Sequence, residues 1–357
     1  MNHTIRLLIK DMISLKDDTN KYLVHLSDNR IIDTKGWNGW DWTHGAGLYG
    51  IWKYYEITGD PTLLQHIEAW FKIQFDRGGT EKNINIMSVF LTLAYVYEKT
   101  ENQTYRPWLE EWAEWAMHHL PRTEYGGMQH ITYVKTNCQQ LWDDTLMMTA
   151  LPLMKIGQLL NRPEYVEEAM KQMLILIQYL FDAQTGIFFH GWQFADADGS
   201  VGHNFAEARW ARGNSWLTIV ISEMRLEILE ASDKSPALGA FQVALDHPVT
   251  EGSYNEASAT AGFAYGILKA RRKRFLGDQV GHPETSRTYD NIALDGIRAV
   301  LDNVSPEGKL LQTSFGTCMG NTLQFYKDVV KTSMPYGQAM AIMALVEFCQ
   351  TFHFESS

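Results

Sequence analysis

The sequence has few of the residues that mark metal-binding, disulfide-rich or membrane-spanning proteins. Its 357 residues include only three cysteines, Cys138, Cys318 and Cys349, which are odd in number and widely spaced. No CxxC pair, no Cys/His metal spacing and no HExxH motif occurs. We therefore expect reduced thiols in a cytoplasmic protein, and no metal.

Long apolar runs and an excess of basic charge are also missing. No stretch of 18 apolar residues occurs, and the N-terminal segment lacks the apolar centre of a signal peptide, so we expect no membrane association. The net charge of −11 argues against nucleic acid as a partner. Neither a GxxxxGK[ST] phosphate loop nor a GxSxG nucleophile turn is present, so no nucleotide cofactor is expected.

Aromatic residues, in contrast, are abundant, with 12 Trp, 16 Tyr and 16 Phe. Flat aromatic faces in a cleft suit sugar rings. Seven tryptophans lie at predicted helix starts or in the loops before them, where we expect a cleft and not the core: Trp37, Trp40, Trp42, Trp142, Trp192, Trp210 and Trp216.

Six segments share one pattern, in which small, aromatic and polar residues precede an apolar helix. They begin at Trp42, Ile84, Trp142, Trp210, Asn255 and Met334. Amphipathic helices are predicted between them, at 61–75, 105–120 and 163–181. Because the six helices are apolar on all sides, an inner ring fits them best. The sequence therefore predicts an all-α protein, an (α/α)6 barrel formed by one domain over residues 1–357.

Long non-helical segments are predicted at 121–141, 182–208 and 302–333, with short strands or extended chain at 125–134 and 185–194. Loops of this length in a compact domain are usually functional or disordered. Their histidine, lysine, aromatic and glycine content favours function.

An acidic pair, Asp143 and Asp144, follows Trp142 at the third of these helix starts. Acids at a helix start commonly cap the helix. A carboxyl group against tryptophan in a dry pocket could instead stay protonated and act as a general acid. The other five starts carry no such pair, which favours the catalytic interpretation.

The segment ARWARGNSW at 208–216 combines two arginines with Trp210 and Trp216. One interpretation is surface arginines beside core tryptophans. The other is a carboxylate clamp, in which Arg212, supported by Arg209, binds an anionic group through its planar fork. In that case Gly213 permits a close backbone approach.

Five further polar residues are candidates because they lie at repeat starts or in the long loops: His44, Asn85, His130, His190 and Ser333. A lone histidine is more often a satisfied structural residue. Asn and Ser at helix starts are ordinary capping residues.

Three motifs together, QLWDDTLMM, ARWARGNSW and MPYGQAMA, resemble glycoside hydrolase family 105, the unsaturated rhamnogalacturonyl hydrolases. Family 88, the unsaturated glucuronyl hydrolases, is related. The resemblance spans nearly the whole chain and implies the (α/α)6 barrel. It implies that Asp143 is the general acid/base, and that the substrate is bound by residues matching His190, Trp210, Arg212, Trp216 and Ser333.

The implied reaction hydrates the C4–C5 double bond of an unsaturated uronate at the non-reducing end of a pectin fragment. A second acid often lies at the second inner helix in related enzymes, but no carboxylate occurs between Glu81 and Glu98 here. A mechanism with one acid/base agrees with that gap. The resemblance thus implies an unsaturated disaccharide as the partner and no cofactor, and the protein is expected to be a monomer or weak homo-oligomer.

The residues leave other functions open. An unsaturated glucuronyl hydrolase would share every motif. A sugar 2-epimerase would pair two histidines, such as His44 and His190, across one carbon but would leave ARWARGNSW unexplained. A non-enzymatic helical scaffold would not require a buried acid beside tryptophan and arginine.

Overall fold

Helices dominate the computed structural model, which describes residues 1–26, 29–195, 201–231, 253–276 and 288–352. The helices are α1 (Asn2–Ser14), α2 (Trp42–Thr58), α3 (Pro61–Asp76), α4 (Val89–Thr100), α5 (Arg106–Glu114), α6 (Leu151–Leu159), α7 (Pro163–Leu180), α8 (Ala211–Ala231), α9 (Ala257–Arg272), α10 (Tyr289–Asp302), α11 (Leu323–Lys327) and α12 (Pro335–Thr351). A 3-10 turn precedes α4, at Asn85–Ser88. π-helical turns follow α5, at Trp115–His119, and precede α6, at Leu146–Ala150.

Six of these helices form a closed inner ring. The contacts run from α2 to α4, α6, α8, α9 and α12, and α12 returns to α2. In the described part of the chain, α1, α3, α5, α7 and α10 pack outside this ring. The predicted (α/α)6 barrel is confirmed. Helices α2, α8, α9 and α12 begin within two residues of the predicted positions, whereas α4 and α6 begin five and nine residues later, after the 3-10 and π-helical turns.

The two layers differ because their sequences differ. Helix α12 buries 13 consecutive residues, 335–347, and also Cys349, as expected of a helix enclosed on all sides. Helix α3 buries one stripe, Leu63, Ile67, Trp70 and Phe71, and exposes the opposite face. Asp60 caps α3 by accepting the N–H of Thr62 at 3.0 Å.

Glycines allow the inner helices to approach each other closely. A Cβ at Gly45 would lie 2.1 Å from Ser88 Oγ, and one at Gly50 would lie 2.9 Å from the Cα of Ala339 on α12. The stretch GAGLYG at 45–50 has the letters of a dinucleotide-binding GxGxxG. However, it lies within α2 and these glycines face neighbouring helices, so it forms no phosphate loop.

The strands are short and antiparallel: β1 (Leu23–His25), β2 (Ile31–Asp33), β3 (Gln140–Trp142), β4 (Phe181–Asp182), β5 (Ile187–Phe188), β6 (Gly191–Gln193) and β7 (His203–Asn204). The region 185–194 forms β5 and β6, as predicted. The region 125–134 is extended loop, with one isolated bridge between Arg122 and Met128. Strand β6 lies between β3 and β7. In the described ranges we find no helix long and apolar enough to span a bilayer.

Candidate active site

A cavity of about 440 Å³ opens where the inner helices begin. Its lining comes from the starts of five inner helices and includes Thr43, Asn85, Asp144, Trp210 and Met334. This volume falls within the range of small-ligand pockets. The ring therefore brings residues that are far apart in sequence to one site.

Four of the seven tryptophans expected at a cleft line this cavity, namely Trp42, Trp142, Trp210 and Trp216. The prediction is wrong for Trp37 and Trp40, which belong to the core. Trp40 stacks on Trp112 with ring centroids 6.1 Å apart. Trp192 is half-buried and is not part of the cavity wall.

Strand pairing brings the acidic pair and His190 together. In the β3–β6 ladder Trp142 lies opposite Gly191, and the next backbone N–H, that of Asp143, donates to the carbonyl of His190 at 2.9 Å. The His190 Nε2 atom is 4.0 Å from Asp143 Oδ1 and 3.9 Å from Asp144 Oδ2. Both distances are too long for direct hydrogen bonds.

The two carboxyl groups have different surroundings. Asp144 lines the cavity, whereas Asp143 is fully buried behind the wall and neither of its oxygens has a hydrogen-bond partner in the described structure. Burial, reinforced by the neighbouring charge of Asp144, raises the pKa of Asp143 well above its usual value. A raised pKa favours the protonated form, which is the form that a general acid requires.

Gly213, at the start of α8, lies directly against Asp143. A Cβ at this position would be 1.9 Å from Asp143 Oδ2 and 2.5 Å from Cγ. The sequence suggested that this glycine admits a ligand to the backbone. In the structure the carboxyl group of Asp143 occupies this space instead.

Arg212 does not present an open fork to the cavity. It is fully buried, and its two terminal nitrogens donate to Ser314, Phe315 and Thr317, and to the Tyr336 hydroxyl. Only Nε has no partner among the described residues. The guanidinium therefore holds the 314–317 segment in place, which corrects the expectation of a free carboxylate clamp.

Arg209, expected to support that clamp, forms an ion pair with Asp182 at 2.7 Å. This pair ties the start of α8 to strand β4. Arg212 nevertheless shapes the cavity wall, because its guanidinium carbon lies 4.3 Å from the ring centre of Trp210.

His44 lies outside the cavity, contrary to its expected place in the funnel. Its Nδ1 accepts the backbone N–H of Asp41 at 3.1 Å, so its Nε2–H donates to the carbonyl of Gly36 at 2.8 Å. Burial lowers the pKa of His44 to about 4, and the ring stays neutral. An epimerase pair of His44 and His190 is therefore not supported.

Asp41, which the sequence reasoning missed, caps α2 and lines the cavity. Burial raises its pKa to about 7, against the lowering effect of the Trp42 N–H that it accepts at 2.9 Å. It is thus a second cavity carboxyl group, at the first inner helix and not the second. A helix-capping Asp before Trp42 was the available signal.

The remaining candidates are divided between the wall and its support. His130 lines the cavity and stacks on Trp142, with ring centroids 4.1 Å apart. Its Nδ1 is 2.9 Å from the Thr145 hydroxyl, and burial lowers its pKa to about 4.

Asn85 also lines the cavity, but Asn83 and not Asn85 caps that turn, accepting from Asn85 N–H at 3.0 Å. Ser333 is adjacent to the lining residue Met334, and its buried hydroxyl has no partner among the described residues.

Asp143, Asp144 and His190 are the described residues that could together hold a cation, since one ligand atom of each lies within 4.8 Å of the others. One imidazole and two carboxylates suit Zn²⁺ or a similar ion. A neutral Asp143 would bind a cation weakly, because a ligand carboxyl group must be deprotonated. A reaction without a metal remains a prediction.

The sequence and fold match known proteins over almost the whole chain. The model of Glycosyl Hydrolase Family 88 matches residues 15–238 and 234–352. The chain belongs to this family. A protein from Salmonella enterica subsp. enterica serovar Paratyphi A, described as a possible member of family 105, is 50% identical, with a TM-score of 0.89 over 98% of this chain and 94% of that chain. A possible family 105 member from Klebsiella pneumoniae subsp. pneumoniae is also 50% identical, with a TM-score of 0.87 over 98% and 93%.

Among curated proteins, the unsaturated rhamnogalacturonyl hydrolase YesR of Bacillus subtilis is 26% identical over 87% of this chain and 90% of its own length. The predicted resemblance to families 105 and 88 is confirmed, and the protein is a glycoside hydrolase.

Proposed function

We propose that this hydrolase acts on an unsaturated galacturonyl-rhamnose disaccharide from pectin rhamnogalacturonan. The observation that carries the proposal is the buried Asp143 beside Asp144 and His190, next to an aromatic cavity of about 440 Å³. The name of the B. subtilis relative supports this class of substrate. The proposed location is the cytoplasm, and all three cysteines are free thiols.

In the proposed reaction, protonated Asp143 donates its proton to C4 of the C4–C5 double bond. Positive charge develops at C5, stabilised by the ring oxygen, and water adds there while a carboxylate accepts its proton. The resulting hemiketal opens and releases the neighbouring sugar. The net change is addition of one water molecule, so no cofactor is consumed.

The two carboxyl groups, Asp143 and Asp144, differ in their access to the substrate. Asp144 lines the cavity together with Trp142 and Trp210, whereas Asp143 is fully buried and is not a lining residue. Proton transfer from Asp143 to C4 therefore requires the substrate to come within reach of this buried carboxyl group. The raised pKa of Asp143 supports the acid role, and Asp144, as a residue of the cavity wall, suits contact with the substrate.

The uronate carboxylate needs a positive partner other than Arg212. Among the described lining residues, Lys135 is the one that carries a positive charge at neutral pH. It lies in the loop between Thr132 and Asn137, with both of these residues also in the wall. We assign Lys135 to the substrate carboxylate, because a local cation is required in a chain with net charge −11.

Replacing Lys135 with Met should raise KM about 3- to 10-fold with little change in kcat, since the contact is present before and during the reaction. With the methyl ester of the substrate, Lys135→Met and the parent enzyme should have similar KM values, because the ester carries no negative charge. Lys72→Met, the same charge change on outer helix α3, is the matched control and should leave KM unchanged. Equal KM values for Lys135→Met and the parent enzyme would place the carboxylate elsewhere.

The substrate class is tested with purified protein and a panel of unsaturated galacturonyl and glucuronyl disaccharides. Hydration removes the conjugated ultraviolet absorbance. In deuterated water the product should carry one deuterium at C4. Turnover without loss of absorbance, or a product without deuterium, would refute the proposed reaction. Preference for a glucuronyl disaccharide would change the substrate and keep the chemistry.

A further inference from the structure

Tyr326, on the short helix α11, contacts His190 from the side opposite the two carboxyl groups. Its hydroxyl oxygen is 2.9 Å from His190 Nδ1, and the two rings meet edge to face with centroids 5.5 Å apart. Nothing in the motifs or in the family match pointed to this tyrosine. The contact joins residues 136 positions apart in sequence.

The hydrogen bonds of the hydroxyl group determine which atom donates. The backbone N–H of Gly320 donates to Tyr326 Oη at 3.2 Å, so the hydroxyl proton must point to another acceptor. Two acceptors are near: His190 Nδ1 at 2.9 Å and Met319 Sδ at 3.9 Å. A thioether sulfur is a weak acceptor, and the imidazole nitrogen is both stronger and closer.

If Tyr326 donates to Nδ1, that nitrogen carries no proton. The one proton of a neutral imidazole then lies on Nε2. Burial raises the pKa of Tyr326, which keeps the hydroxyl protonated. The Nε2–H donor then points at Asp143 Oδ1 and Asp144 Oδ2, 4.0 and 3.9 Å away.

We propose that Tyr326 is a positioning residue that fixes His190 as the Nε2–H tautomer, so that His190 presents a hydrogen-bond donor to the reacting centre between Asp143 and Asp144. This inference rests on the proposed function for its catalytic consequence only. With the other tautomer, a lone pair would face the two acids, and the donor for a substrate oxygen or carboxylate would be lost.

The packing of this segment keeps Tyr326 in place. Met319 lies against strand β6, where a Cβ at Gly191 would be 1.9 Å from its methyl carbon. The Tyr254 hydroxyl contacts the Tyr326 carbonyl at 3.5 Å. A substitution at Tyr254 can therefore loosen the same segment. Tyr254 thus provides a matched control for substitutions at Tyr326.

The test compares Tyr326→Phe with Tyr254→Phe. Tyr326→Phe keeps the ring against His190 and removes the donor, and we expect kcat to fall about tenfold with KM changed less than twofold. Tyr254→Phe, which loosens the same segment without touching His190, should keep the parental kcat. Equal losses in the two variants, or full activity in Tyr326→Phe, would overturn the proposal.

A second arm removes the residue through which Tyr326 acts. In a His190→Gln background, the side-chain amide retains a donor but cannot change tautomer, so adding Tyr326→Phe should cost little more. Independent, multiplicative losses would show that Tyr326 acts by another route.

The tautomer itself is read by ¹⁵N NMR of labelled protein, with the His190 signals assigned by their absence in His190→Gln. In the parent protein, Nδ1 should resonate in the unprotonated range and Nε2 in the protonated range, and Tyr326→Phe should shift the population toward Nδ1–H. This measurement needs no substrate, so it tests the tautomer even if the proposed reaction is wrong. A parent spectrum with the proton on Nδ1 would refute the assignment.

Discussion

Gly213→Ala tests whether this glycine is needed to accommodate the carboxyl group of Asp143, the proposed general acid. The added Cβ would lie 1.9 Å from Asp143 Oδ2, 2.5 Å from Cγ and 2.6 Å from Oδ1. Ordinary van der Waals contact begins near 3.4 Å, so the nearest oxygen must retreat by about 1.5 Å. Asp143 is fully buried, and a shift of that size changes its relation to His190 and to the cavity.

The expected effect on activity is large and the effect on folding is small. A displacement of about 1 Å in a reacting group can cost ~10²-fold in rate, so we expect kcat to fall at least that far. For stability, alanine in a helix gains about 1 kcal/mol over glycine, which offsets part of the ~1–3 kcal/mol cost of overpacking. The assay is loss of ultraviolet absorbance, with thermal melting measured on the same samples.

Gly296→Ala on outer helix α10 is the matched control, because the nearest atoms to its Cβ would be Ala264 Cβ at 3.2 Å and two Thr260 atoms at 3.7 and 3.8 Å. It should keep full activity and gain about 0.5–1 kcal/mol of stability. A folded Gly213→Ala variant with parental kcat would refute the reasoning, since it would show that Asp143 does not need its present position.

Four other predictions concern the same site. Asp143→Asn should fold and lose more than ~10²-fold in rate, while an inactive Asp144→Asn beside an active Asp143→Asn would reverse the assignment. Because burial raises the pKa of Asp143, its stabilising contribution is present at low pH and is lost as pH rises through the raised pKa. The melting temperature of Asp143→Asn relative to the parent should therefore increase with pH. Arg212→Ala should lower the free energy of unfolding by about 3 kcal/mol, measured by denaturant unfolding. Arg212→Lys should restore only part of this loss, because an ammonium cannot span the acceptors around Ser314. Unchanged stability would contradict the anchoring role. Activity should be unaffected by EDTA, and a loss that a divalent cation reverses would instead assign a metal to Asp143, Asp144 and His190.

The amino-acid sequence by itself determined the architecture. The six inner helices could be predicted because their apolar and small residues leave no polar face, so each must be buried on all sides. The outer helices followed from single apolar stripes, as at Leu63, Ile67 and Trp70 in α3. The motif around Asp143 was also visible locally, since an acidic pair after tryptophan stands out among the six helix starts.

Only the tertiary structure decided what each candidate side chain contacts. The local sequence predicts that Arg212 is a carboxylate clamp. In the fold, however, its guanidinium donates to Ser314, which lies 102 positions later. The local sequence likewise predicts that Trp40 lies in a cleft, but in the fold Trp70, Phe90 and Trp112 surround it. Local sequence carries no information about such partners, because ring closure sets them.

The same reason explains the residues that sequence reasoning missed. Asp41 and Lys135 join the cavity wall, and Tyr326 reaches His190, through contacts between loops at different inner helices. The spacing of apolar residues along a helix can be seen in one segment, because each helix must bury its own apolar face. The protonation and orientation of Asp143 and His190 depend on dielectric surroundings and donors contributed by several segments, and those exist only once the ring has closed.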